Sequence, residues 1–261
     1  MVGRLEQLPA HHYVFGSTLV QAVGGVYSAP GKGHDRAMCG PNFLAVADGA
    51  TPLETSWPDA GDFAQSALTL LRQHSQNQSL SLQQVWASAI EELRRRITVP
   101  AVEVSSAVAM VRENDGSTEI AVCGDCTAFI MLRSGRSTEL RDERVRLLNT
   151  ESDGHWGPTA QSKLLVRELM NKRDGYWILS TDPEMANHIL QRTYFTREIA
   201  FVLIYTDGFL SDSTLPMMTR LKGAYSKAFD DDVFACDSLE TDRRFGDDAC
   251  YLKATIYPLT P

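Results

Sequence analysis

Apolar runs in this chain end repeatedly in an aspartate beside a glycine: FLAVADGAT at Asp48, IAVCGDC at Asp125 and FVLIYTDGF at Asp207. In FGDDACYL, Asp247 and Asp248 follow Gly246 and precede the last apolar run. A single Asp-Gly is an ordinary turn signal. A set of them at the ends of strand-like runs points further, because carboxylates gathered in one place repel one another and resist ionisation unless positive charge lies between them. Hard divalent cations such as Mg2+ or Mn2+ supply that charge, prefer oxygen donors and keep several waters. The neighbouring glycines let backbone come close and offer a carbonyl as a further donor. Two such ions about 4 Å apart activate a bridging water for in-line attack on phosphorus. The chemistry suggested is hydrolysis of a phosphate ester.

The stretch EIAVCGDCTAFIML, residues 119–132, raises a competing reading, because Asp125 lies inside a C-x-x-C formed by Cys123 and Cys126. Such a pair serves as a redox dithiol or as half of a zinc site. The other cysteines, Cys39, Cys236 and Cys250, form no second C-x-x-C or C-x-x-H to complete a tetrahedron. Nor does the pair open a helix, where a redox thiolate would be stabilised; its neighbours are β-formers. Buried small thiols are the better explanation, and the aspartate is the group of interest.

The elements that must position these carboxylates are mostly strands. VQAVGGVYS, FLAVAD, VSSAVAMV, EIAVCGD, TAFIML, YWILS, FVLIYTD and CYLKATIY are β-branched or aromatic and bounded by turn residues. Residues 58–74 place Phe63, Ala64, Ala67, Leu68 and Leu71 on one helical face, and 82–97 follow a capping-box spacing of Ser81 and Gln84. Residues 160–173 and 183–192 also have helical spacing, and 214–229 are a further helix candidate. The ENDGS turn at 113–117 predicts a hairpin. A regular βαβ alternation is absent, so the expected class is α+β: two mainly antiparallel sheets face to face, flanked by helix pairs. No linker divides the chain, which predicts one domain over 1–261, with an exposed flap within 134–160.

In order and spacing, GHDRA at 33–37, VADGAT at 46–51, CGDCTA at 123–128, YTDGFLSD at 205–212 and GDDACYL at 246–252 resemble the motifs of the metal-dependent type 2C protein phosphatases. The resemblance runs from about Ala22 to Tyr257. It implies a four-layer αββα sandwich, a centre of two Mn2+ or Mg2+ ions with a third in some bacterial members, and hydrolysis of phosphoserine and phosphothreonine without a phosphoenzyme. By position, Asp48 resembles the carboxylate bridging both metals and Gly49 the carbonyl donor. Asp207 and Asp247 resemble ligands of one ion, Asp35 the acidic residue beside the other, and Asp125 the ligand of the third. Asp212 and Asp248 are read as supporting residues.

The chain departs from the family at two places. The arginine usually found shortly before the Asp35 position is missing from SAPGKGHD, leaving Lys32 and Arg36 as candidates to hold the substrate phosphate. Where eukaryotic members have a histidine after the Asp-Gly, this chain has Ala50 and Thr51. His34 and His155 are then candidate acids for the leaving group.

Composition narrows the partners. The chain has 261 residues, 43% of them apolar, enough to bury a core. A net charge of −8 argues against a nucleic-acid binder, and the basic run RRR at 94–96 belongs to a helix face. The strongest apolar run, IAFVLIY at 199–205, is too short to span a membrane. The N-terminus lacks the apolar core of a signal peptide, so a cytoplasmic location is expected; the chain is also expected to be a monomer. The expected substrate is a phosphorylated protein. The alternatives are a small phosphate monoester, or a non-catalytic module that binds phosphoproteins.

Overall fold

The structure, a computed structural model, describes residues 4–15, 18–28, 33–50, 59–97, 104–145, 147–148, 166–210 and 248–258. Two antiparallel sheets dominate. The six-stranded sheet has the order β1 (Arg4–Phe15), β2 (Thr18–Ser28), β11 (Ala249–Pro258), β10 (Ile199–Tyr205), β7 (Thr127–Leu132), β8 (Ser137–Arg141). The five-stranded sheet has the order β3 (Arg36–Gly40), β4 (Phe43–Gly49), β5 (Ser106–Asn114), β6 (Ser117–Cys123), β9 (Leu190–Phe195).

Strand alternation sorts the five-stranded sheet's side chains into two cores. Ala45, Ala47, Val108, Met110, Ala121 and Cys123 join the core beneath the helices. Leu44, Val46, Ala107, Ala109, Ile120 and Val122 meet Val202, Ile204, Leu252 and Ala254 of the facing sheet. On that facing sheet the alternate residues Phe129, Leu203 and Tyr251 point outward and are nevertheless buried, as the outer layer of an αββα sandwich requires.

Helix α1 (Ala60–Ser75) starts where the Asp59 carboxylate accepts from the Asp62 amide at 2.8 Å. Helix α2 (Leu82–Arg96) carries the reciprocal capping box: the Gln84 amide donates to Ser81 Oγ at 3.2 Å and the Ser81 amide to Gln84 Oε1 at 2.8 Å. The predicted apolar stripe from Phe63 to Leu71 is fully buried. In the β5–β6 hairpin, Asp115 and Gly116 both have positive φ, 49° and 76°, the type I′ turn that Asp-Gly favours. The fully buried Arg112 pairs with Glu119 across this hairpin and donates to the Leu80 carbonyl at 2.9 Å, tying the α1–α2 connection to the sheet.

Several expected elements differ. The helix over 183–192 is a short 3-10 turn, Pro183–Asn187, followed by β9. Met185, Ala186, Ile189 and Leu190 keep helical spacing, but from Leu190 on the chain pairs with the otherwise open edge of β6 and becomes strand. YWILS contributes only isolated bridges at Tyr176 and Leu179. Within the stretch read as a flap, residues 137–141 are β8, and 149–160 lie outside the described residues. Of the helix expected at 160–173, residues 166–168 are helical and 161–165 lie outside the described residues, as does 214–229. None of the described helices is long and apolar enough to cross a membrane.

Candidate functional site

Register brings the motifs to one end of the sandwich. Asp48 follows Leu44 and Val46 on the face of β4 turned toward the six-stranded sheet. Arg36 pairs with Ala47, so Asp35, one residue earlier, stands beside Asp48, and the two carboxyl groups share a hydrogen bond. From the other sheet, Tyr205 pairs with Tyr251, so Asp207 and Asp248 both lie just beyond that last rung. The glycine at 208 belongs to this convergence, since a Cβ there would collide with the Asp248 carbonyl. Val108 pairs with Cys123, which puts Gly124 and Asp125 at the same end of the five-stranded sheet.

Asp35 is the buried centre, 2% exposed. Burial foremost, then the charges of Asp248 and Asp207, push its carboxyl up to about 7. Thr206 opposes this by donating from Oγ1 to Asp35 Oδ2 at 2.7 Å, while Thr206 Oγ1 itself accepts the Cys250 amide at 2.9 Å. Asp248 Oδ2 accepts the amides of Gly33 and His34, each at 2.6 Å. It therefore fixes the turn that delivers Asp35. Ser106 Oγ donates to the Asp48 carbonyl at 2.8 Å from the neighbouring strand.

Arg36, a candidate for the substrate phosphate, is engaged with backbone. Its Nη1 donates to the carbonyls of Gly33 at 2.6 Å and Asp35 at 2.8 Å, and its guanidinium packs where a Cβ of Gly61 would stand. Gly49 has a packing reason of its own: a Cβ there would lie 2.5 Å from the Ala60 carbonyl oxygen, so its absence lets α1 start against the end of β4. Neither role is legible from motif spacing. Asp247, Lys32, His155 and Asp212 lie outside the described residues.

The cysteines separate from this chemistry. Cys123 belongs to the core under the helices, whereas Cys126 and Cys250 belong to the core between the sheets. Gly124, at φ 65°, turns the chain between the first two. No disulfide joins the described cysteines; burial pushes Cys123 up to about 12 and Cys126 and Cys250 well above the ordinary thiol range. Such groups are neither nucleophiles nor thiolate ligands at neutral pH.

The remaining donor set is oxygen, which by its chemistry fits a hard divalent cation better than zinc. Among the described residues, no three acidic, histidine or cysteine side chains close into a cage for an ion. The acidic residue expected to contribute beside Asp207, Asp247, is outside them.

Comparison with protein-family models and with curated protein sequences finds no match. Solved structures do match. RsbX in complex with magnesium aligns at a TM-score of 0.53 and 12% identity, over 97% of this chain and all of that one. The catalytic domain of the serine/threonine protein phosphatase PstP in complex with two manganese ions aligns at 0.55 and 13%, over 98% of this chain and 99% of that one. Stp1, a serine/threonine phosphatase from Staphylococcus aureus, aligns at 0.54 and 13%, over 90% and 94%. At such identities the likeness is one of architecture, and the chain carries the fold of serine/threonine phosphatases such as PstP and Stp1.

Proposed function

We propose that this protein is a Mn2+- or Mg2+-dependent phosphatase that hydrolyses phosphoserine and phosphothreonine in proteins. The observation that carries the reading is the meeting of Asp35, Asp48, Asp207 and Asp248 at one end of a sandwich whose fold is that of serine/threonine phosphatases. A carboxyl kept protonated by burial first, and then by neighbouring carboxylates, is the kind of group that a divalent cation would neutralise. PstP binds two manganese ions and RsbX magnesium, which supports the same class of metal here. Asp48, Gly49, Asp207 and Asp247, with Asp35 alongside, would hold two ions and Asp125 a third; bound there, they would supply an activated water and charge neutralisation at phosphorus.

The chain's own residues do the rest. Thr206 and Asp248 hold Asp35 and its turn in place, so little reorganisation is needed when the site fills. Arg36 braces that turn from outside. With the cysteines buried and protonated, no side-chain nucleophile is available among them, in keeping with direct attack by water.

The test is turnover of phosphothreonine peptides, p-nitrophenyl phosphate and a panel of phosphorylated metabolites, with Mn2+ and with chelator. The reading expects peptide hydrolysis that chelator abolishes and that Asp48→Asn lowers by several orders of magnitude. Hydrolysis of a metabolite alone would make the enzyme a small-molecule phosphatase. Binding of phosphopeptide without hydrolysis would make it a non-catalytic module.

A further inference from the structure

Arg36 is occupied by the turn it braces, and Lys32 lies outside the described residues, which directs attention to the other cations at this end of the sandwich. At the end of β8 there is one. Thr127 pairs with Arg141, so residues 142–144 lie just past the strand, at the end of the sheet where Asp207 and Asp248 also emerge. Asp142 is 4% exposed, and its carboxylate is the anchor: it accepts the Arg144 amide at 3.0 Å, Arg144 Nε at 2.8 Å and Arg144 Nη2 at 2.5 Å. A fork engaged along one edge leaves the other edge pointing away, and Arg144 Nη1 makes no hydrogen bond among the described residues, on a side chain that is 37% exposed. The neighbouring Arg141 is different, closed between Glu139 and Glu143. Continuity with the aspartates is given by register: Tyr205 pairs with Thr127 and Thr127 with Arg141, so the end of β8 lies two strands from the end of β10 that leads to Asp207.

We propose that Arg144, clamped by the buried Asp142, binds an anionic group of the substrate, a carboxylate or second phosphate flanking the phosphate that is hydrolysed. This rests on the reading of the site as a phosphatase. A guanidinium with one edge already fixed loses little freedom when the other edge takes an anion, and its planar donors suit carboxylate and phosphate better than an ammonium does. Asp142 offsets much of the net charge, so the contribution is directional and shows as substrate preference instead of turnover.

The experiment compares two phosphothreonine peptides, one with aspartates flanking the phosphothreonine and one with asparagines, on wild type, Arg144→Gln and Arg144→Lys, with p-nitrophenyl phosphate as the substrate lacking a flanking group. Arg144→Gln is expected to raise KM for the acidic peptide about tenfold with kcat within about twofold, a change of about 1.4 kcal/mol, and to leave the other two substrates nearly unchanged. Arg144→Lys recovers only part of the loss. Because Arg144→Gln strands a buried carboxylate, the pair Asp142→Asn with Arg144→Gln serves as a second variant with the same expected loss of preference. Equal KM changes for both peptides, or none, overturn the proposal while leaving the phosphatase reading intact. A wild-type protein inert toward all three substrates overturns both.

Discussion

Asp35 gathers the forces at the site into one residue. Its ordinary carboxyl value is 3.8, and burial with Asp248 and Asp207 nearby lifts it to about 7 in the folded chain. Between those values the folded protein keeps a proton that the unfolded chain has released, so stability falls as pH rises. The contribution is full below about pH 4 and is lost as pH passes through about 7. In chelator, Asp35→Asn removes this dependence while keeping an acceptor for Thr206. Its melting temperature is expected to gain on wild type by several degrees from pH 4 to pH 7.5, and then to run parallel. Melting curves already parallel across that window would show that Asp35 ionises normally. The sequence points to this carboxylate through GHDRA, but it carries no sign of Asp248 accepting two amides or of Arg36 bracing the turn. The Asp248 contacts join segments more than two hundred residues apart, which no local pattern encodes, and the Arg36 contact, though it spans only three residues, forms because the turn is folded back by Asp248.

The elements show which kinds of signal a sequence carries well. Helix α2 is legible because its cap and stripe are local, and the β5–β6 turn because Asp-Gly selects left-handed backbone. Strand β1 is hidden by Pro9, tolerated there because the strand is an edge with a register irregularity between Leu8 and His11. β9 is misread as helix because its fate depends on β6, not on its own period. Two glycines, Gly49 at the end of β4 and Gly61 in the first turn of α1, test how far the site depends on this packing. Gly49→Ala meets backbone at Ala60 and must push the helix away from β4, which is expected to cost about 1–3 kcal/mol. Gly61→Ala meets the tip of Arg36, which can swing aside, and Gly33 O at 3.1 Å. It is expected to lose less than about 1 kcal/mol of stability but to loosen the turn and weaken Mn2+ binding by calorimetry. Denaturant midpoints in chelator measure the first effect; a Gly49→Ala protein as stable as wild type would mean that α1 and β4 are not in tight register.

At the scale of the molecule, the carboxylates come from both sheets: Asp35 and Asp48 from the five-stranded one and its leading turn, Asp207 just after β10 and Asp248 just before β11. The sandwich holds like charges together at one end of its inter-sheet core, and the apolar contacts of Val46, Ala107, Ile204 and Leu252 must outweigh that repulsion when no cation is present. A divalent ion bound at this end would turn a seam of repulsion into a cross-link between sheets. Anything that binds only the folded state stabilises it by mass action, about 2.7 kcal/mol at a hundred times the dissociation constant. For a chain of this size that corresponds to a rise in melting temperature of roughly 5–10 °C. Mn2+ is expected to produce that shift in wild type, and Asp48→Asn to abolish it while melting no lower than wild type in chelator, since one repelling charge is gone. Calcium and magnesium arms separate a selective site from general screening, which would move both proteins equally. A wild-type melting point unmoved by saturating Mn2+ would count against a cation joining the two sheets, whatever the activity.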